Sequence, residues 1–281
     1  MIDVIIDTLV DALKLLPFLF VAFLIIEVVE HKIGKRSKEV IVASGKLGPV
    51  VGGLLGLFPQ CGFGALATNL YITRIVSLGT LISVYLATSD EMLPIMISEH
   101  VSWELIVRIL LIKLLFGIVI GFFIDLLFRK RKTSDISYEI CDEEHCHCGK
   151  AGIVKASLIH TLKTISFIAF TSFCLNTILF YGGEEFLSKL LLKNSLLAPF
   201  ISSLIGLIPN CAASVIVTEL YLNNAIGFGT MIGGLLTGSG IGLLLLFKNN
   251  KSMKENIFVL LTIYFVGSIG GMLIEFLQNL L

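Results

Sequence analysis

The sequence predicts an all-α, polytopic membrane protein. It is expected to consist of two inverted repeats of about five hydrophobic segments each, with short broken or re-entrant helix pairs. Three observations lead there. The first is composition: 56% of the 281 residues are hydrophobic, 15% are charged and 20 are Phe. Soluble domains carry about a quarter charged residues. The second is an internal repeat. The stretch from Leu54 to Glu91 returns from Leu204 onward, with Gly56/Gly206, Pro59/Pro209, Cys61/Cys211, Thr68/Thr218, Tyr71/Tyr221, Gly79/Gly229, Thr80/Thr230 and Ser89/Ser239 in register. Shared Leu and Ile follow from composition, but shared Pro, Cys, Tyr and Gly-Thr pairs do not. The third is charge. Basic clusters sit at 31–46, 129–132 and 248–254, and such clusters stay in the cytoplasm. The N-terminus, the 98–104 loop, the 182–197 linker and the C-terminus then lie outside. Each half makes an odd number of crossings, either five or three plus a re-entrant hairpin. The second half is therefore inverted relative to the first.

The elements follow in order. The first repeat spans 1–128. Its acidic start (Asp3, Asp7, Asp11) lacks the positive n-region of a signal peptide and reads as an uncleaved solvated helix start. Leu13–Val29 is the first candidate span. Leu47–Phe58 and Gly64–Ile72 form a short apolar pair joined at Pro-Gln-Cys-Gly-Phe. Ile75–Ile97 and Leu105–Phe128 are long enough to cross ~30 Å of hydrocarbon. A cytoplasmic loop over 129–156 separates the halves. The second repeat, 157–281, has a span at Ser157–Tyr181 and a second short pair, Pro199–Ile208 and Ala212–Leu222, joined at Pro-Asn-Cys. Ala225–Phe247, interrupted at Thr237-Gly-Ser-Gly, and Ile257–Leu280 complete it.

The candidate chemistry lies where the apolar pattern breaks. Irregular backbone at membrane depth is tolerated only when it is buried in protein or lines a wet cavity. The two Pro-x-Cys turns present Gln60, Cys61, Asn210 and Cys211, and in an inverted pair their tips approach from opposite sides. Packing is the competing role for the cysteines, since Cys is a small buried hydrophobe. Thr88, Ser89, Asp90 and Glu91 interrupt the long segment. Counting from Ile75 at ~1.5 Å per residue, Asp90 lies ~22 Å into a ~30 Å crossing. A carboxylate there is a functional candidate by default. The second copy keeps Ser239 but has Gly240 and Ile241 in place of the two acids. It gains Glu219 where the first has Asn69.

This set suits a cation. Carboxylate and amide oxygens favour hard ions such as Mn²⁺, and thiolates favour Zn²⁺ or Cd²⁺. Cys174 would add a third sulfur. Lys113, deep in its segment, is either a counter-ion to the acids or a snorkelling side chain. Arg108 pairs with Glu104. Gly117 and Gly121 form a packing face, as do the glycines between 229 and 242. In the loop, Cys141, His145, Cys146, His147 and Cys148 lack the paired spacing of a closed zinc site. They read as a flexible, peripheral metal-capture patch whose deletion should leave efflux in place.

At Pro-Gln-Cys-Gly, Thr-Ser-Asp-Glu and Pro-Asn-Cys, the sequence resembles a bacterial family of ten-transmembrane heavy-metal exporters. That family is classed alongside arsenic efflux permeases, and some members are labelled manganese transporters. The resemblance covers nearly the whole chain and implies a metal or metalloid exporter; the site residues come from the depth and charge arguments. The expected function is thus a secondary-active exporter of a metal cation or metalloid across the cytoplasmic membrane. It has no resident cofactor, and protons are the candidate coupling ion. A channel or a carrier for a small organic or other inorganic solute is the alternative. The expected partners are the lipid bilayer and the transported ion, with no nucleic acid. No Walker motif, His-Glu-x-x-His or nucleophile–base set is present, so an enzyme is not expected.

Overall fold

The computed structural model describes residues 47–58, 62–89, 92–128, 197–209 and 211–280, with scattered positions at 13–24 and 154–173. Among the described residues there is no strand; ten helices have described bounds, and the scattered positions at 13–24 and 154–173 are helical as well. The first five are α1 (Gly48–Gly56), α2 (Gly62–Ile72), α3 (Leu78–Ala87), α4 (Met92–Ser98) and α5 (Trp103–Phe128). The second five are α6 (Ala198–Gly206), α7 (Cys211–Leu222), α8 (Phe228–Thr237), α9 (Ile241–Asn249) and α10 (Met253–Leu280). Each second-half boundary lies 150 residues from its first-half counterpart, to within about two residues. The sequence repeat is thus also a structural one. The expected spans around Leu13–Val29 and Ser157–Tyr181 fall only on scattered described positions. The 129–153 loop and the 182–196 linker lie outside the described residues.

Local chemistry sets the same punctuation in both halves. Pro49 and Pro199 open α1 and α6, where a missing N–H costs nothing. The α2–α3 and α7–α8 turns each close on a left-handed residue, Arg74 at φ 60° and Asn224 at φ 56°. The Arg74 and Asn224 amides return to the carbonyls of Tyr71 and Tyr221, and those of Ile75 and Ala225 return to Leu70 and Leu220. These turns move the starts of the third segments from the expected Ile75 and Ala225 to Leu78 and Phe228.

Among the described residues, four units are long and apolar enough to cross a membrane: α3 with α4, α5, α8 with α9, and α10. They divide by burial. The broken units are 75% and 83% buried, against 28% and 33% for the continuous α5 and α10. Continuous helices therefore wrap a core of interrupted ones. α5 turns Leu111, Leu115, Val119 and Leu126 outward, and α10 does the same with Ile257, Leu261, Phe265 and Leu273. Their inner faces carry the glycines expected for close approach. A Cβ at Gly117 or Gly121 would meet the carbonyls of Ser83 at 2.8 Å and Gly79 at 2.7 Å. One at Gly267 or Gly271 would meet Gly233 O at 2.8 Å and Gly229 O at 2.7 Å.

The halves also exchange elements. α2 lies on α9, and α7 lies against α4. α5 and α10 pass each other in opposite directions. The Phe128 and Phe258 rings meet at 5.1 Å, while a Cβ at Gly270 would touch Phe116 at 2.7 Å.

Candidate functional site

α3 and α8 each hold 10 residues, about 15 Å of helix, which is half the hydrocarbon thickness. Both stop where the sequence loses its apolar run. Thr88 leaves the helical region at φ −53° and ψ 126°. Its hydroxyl donates back to Val84 O at 2.8 Å, and the Ser89 hydroxyl donates to Ala87 O at 3.1 Å. In the second half, Gly238 adopts φ −68° and ψ 73°. Gly240 adopts φ 54° and ψ −144°, a conformation that only glycine takes without strain. The Ser239 amide, which a continuous helix would direct to Leu235 O, goes to Thr237 O instead at 2.7 Å. The break thereby withdraws the helical donor from the Leu235 carbonyl.

Lys113 fills the place thus made. It is 1% exposed. Its Nζ donates to Leu235 O at 2.8 Å and to Thr88 O. One carbonyl comes from each broken helix, and both lie in or just beyond a last helical turn, where the macrodipole is negative. An ammonium in the membrane interior is costly, and carbonyl oxygens stand in for its lost water. Beside it is a cavity of about 10 Å³, at the lower bound for a single water. Its described lining includes Thr88, Ser89, Met92, Lys113, Ser214 and Gly238. First-half α3 and α4, second-half α7 and the second break thus converge on one point.

The predicted residues distribute as follows. Thr88 and Ser89 line the cavity and are buried. Lys113 reaches it as well. Ser239 is buried at the second break, where α2 packs over its carbonyl. Asn69 is 2% exposed and its amide nitrogen has no partner; it is not among the lining residues. Glu219 is exposed and does not line the cavity, because the buried side of α7 carries Ala213, Ile216 and Val217. Gln60, Cys61, Asp90, Glu91, Asn210 and Cys174 lie outside the described residues, as do Cys141, His145, Cys146, His147 and Cys148. Cys211 opens α7, and its side chain is outside the described set. In the chain, Asp90 and Glu91 fall between two cavity residues, Ser89 and Met92. Among the described residues, no three His, Cys, Asp or Glu side chains cluster.

Sequence reasoning missed several residues. Leu235 takes part through its backbone, and no side-chain pattern signals that. Ser214 and Met92 looked like ordinary apolar-helix residues. Asp125 and Glu275 were passed over as the acids at the ends of the last segments of each half. Asp125 accepts from Gly79 N at 2.9 Å and Ser77 Oγ at 2.7 Å. Glu275 accepts from Thr230 N at 2.9 Å. These acids cap the first turns of α3 and α8. Their shared offset of 150 residues was the available signal.

No curated protein and no solved structure matches the chain. One family model matches twice, over residues 1–165 and again over 150–280. Together the matches run the length of the two repeats, and the chain belongs to the family described as "Putative, 10TM heavy-metal exporter".

Proposed function

We propose that the chain exports a divalent heavy-metal cation through the cytoplasmic membrane as a secondary transporter of two inverted repeats. The observation that carries this reading is the convergence of two interrupted helices, one per repeat, on a buried polar cavity. Discontinuous helices meeting near the midplane are the usual place for substrate and coupling ions. The helices that flank the cavity stop about half a membrane thickness from their starts. The inverted arrangement is supported by the opposed course of α5 and α10. It is supported too by the basic clusters, since 129–132 follows the end of α5 while Lys251 and Lys254 flank the start of α10. The Phe128–Phe258 contact brings those two ends together.

Asp90 and Glu91 supply the negative charge in this scheme, because the chain on either side of them lines the cavity. A cavity of about 10 Å³ favours a bare ion over an organic solute. Substrate and protons then exchange on the same carboxylates as the repeats rock. Cells with and without the protein, challenged with Mn²⁺, Zn²⁺, Cd²⁺, Co²⁺ and arsenite, should differ in survival and in retained metal for at least one ion. Asp90→Asn should abolish that difference. Full export by Asp90→Asn at every pH would remove the acids from the mechanism, and no difference for any ion would remove metal export.

A further inference from the structure

We propose that the backbone carbonyls of Thr88 and Leu235 are ligands of the transported cation, and that the Lys113 ammonium is a tethered stand-in holding them when no metal is present. This rests on the metal-export reading and extends it to the atoms that bind.

Two backbone carbonyls define the place. The Leu235 oxygen has lost its helical donor, since the Ser239 amide turns to Thr237 O. The Thr88 oxygen belongs to the residue at which α3 leaves helical geometry. Each lies in or just past the final turn of a half-helix, and both point at one atom, Lys113 Nζ. Two converging negative helix ends with unwound carbonyls make a cation site, not an anion site. The occupant in this structure is itself a cation, delivered by α5 from outside both broken helices. Oxygen ligands of this type suit a hard or borderline divalent ion better than a soft monovalent one.

The counterpart position in the pseudo-symmetric arrangement is built differently. Residue 263, 150 beyond Lys113, is Ile263, and the residue matching Leu235 is Tyr85. The Tyr85 hydroxyl meets Thr68 Oγ1 at 2.5 Å, and Thr68 Oγ1 in turn donates to Gly242 O at 3.0 Å. A Cβ at Gly242 would meet the Tyr85 ring at 2.7 Å. That side is sealed by side chains, while on the other the Lys113 ammonium holds the two carbonyls.

Two cations cannot share the same two oxygens, so metal entry requires Lys113 to withdraw. Its flexible four-carbon stem lets the ammonium swing aside, and the metal's own bonds to the two oxygens offset the cost of that withdrawal. When metal leaves, the ammonium returns and the carbonyls are never without a positive partner. Lys113 is thus a competitor of the substrate and not one of its ligands.

The test is Mn²⁺, Zn²⁺, Cd²⁺ and Co²⁺ binding to the purified full chain in lipid nanodiscs, wild type against Lys113→Met and Lys113→Arg. For the metal that wild type binds, Lys113→Met should bind about tenfold tighter or better, and Lys113→Arg should stay within about threefold of wild type. Unchanged or weaker binding by a folded Lys113→Met overturns the inference. Binding of none of the four metals by wild type overturns the reading of divalent-metal export instead. A second readout needs no variant. Metal should raise the labelling of Lys113 in wild type by an amine-reactive, membrane-permeant reagent, followed by mass spectrometry. Protection by metal would overturn the stand-in role even if Lys113→Met fails to fold.

Discussion

The two repeats make the same contacts with opposite residues. Where α1 meets α3, the small residues are on α1: Gly52 and Gly53 face Val84 and Ser83. Where α6 meets α8, the pattern is reversed. Ser202 and Ser203 face Gly234 and Gly233. The cap acids follow the same rule. In the first half a short acid, Asp125, is bridged to α3 by Ser77. In the second half Glu275 is longer and the bridging position is Gly227, where a Cβ would collide with the Glu275 carboxylate. The contact volume is held constant while the bulk moves from one partner to the other. Close packing demands this, since interiors tolerate neither a void nor an extra methyl group cheaply. The comparison teaches that the scaffold diverged by compensation. The site diverged without it: the counterpart of Lys113 is Ile263 and that of Leu235 is Tyr85, with no reciprocal exchange.

Transplants between repeats can break this reciprocity. The largest effect is expected for Gly234→Val, which installs the Val84 side chain against Ser202 instead of glycine. Overpacking of this kind costs about 3 kcal/mol or more at a backbone-close contact. Ser202→Gly alone should cost less, about 1 kcal/mol, because the void and the helix glycine are partly offset by removing a buried hydroxyl that has no partner. The double variant should recover most of the loss. Thermal melting followed by size-exclusion chromatography reads this, and a double variant no better than Gly234→Val would refute compensation.

Gly227→Ser should come next. It displaces Glu275 from the Thr230 amide at a cost of ~1–2 kcal/mol, the range for a lost cap. Adding Glu275→Asp rebuilds the Ser77–Asp125 arrangement and should restore the melting temperature. A purely additive double variant would mean that the two caps are not interchangeable.

The smallest effects probe the ends of the repeats. Tyr71 OH donates to Glu255 Oε2 at 2.9 Å, and Arg74 approaches the same oxygen at 3.6 Å with its guanidinium over the Tyr71 ring. This ties α2 to α10. Tyr221, its counterpart, meets the Phe228 ring at 5.9 Å, and Arg108 lies over that same ring. Tyr71→Phe should therefore lose ~1 kcal/mol, and Tyr221→Phe much less. Equal losses would show that the Glu255 bond contributes nothing specific.

Much of the fold was legible in the chain. The 150-residue repeat, the short apolar pairs and the interruptions at Thr88 and Thr237-Gly-Ser-Gly predicted where helices stop, because Pro, Gly and hydroxyl residues act through local backbone geometry. Lys113 was visible as a charge too deep to ignore. Its partners were not, because they are main-chain oxygens that look alike at every position in a sequence. Glu219 shows the opposite case. An acid in an apolar 11-mer looked like a cavity residue, yet which side of α7 is covered depends on neighbours far away in the chain. Asp125 and Glu275 looked like acids at segment ends until the structure set them against helix starts 46 and 45 residues away in the chain.

The sequence by itself determined the class, the repeat, the segment breaks and the charges available to a site. Hydrophobicity, glycine and proline act on the chain locally, so they can be read one stretch at a time. The tertiary structure decided which break received Lys113, which was sealed by Tyr85 and Thr68, and which carbonyls hold the ammonium. Those choices depend on α2 lying over α9, α7 lying against α4 and α5 reaching past both breaks. Contacts between residues more than a hundred positions apart are set by the packing of whole helices, and no local pattern encodes them.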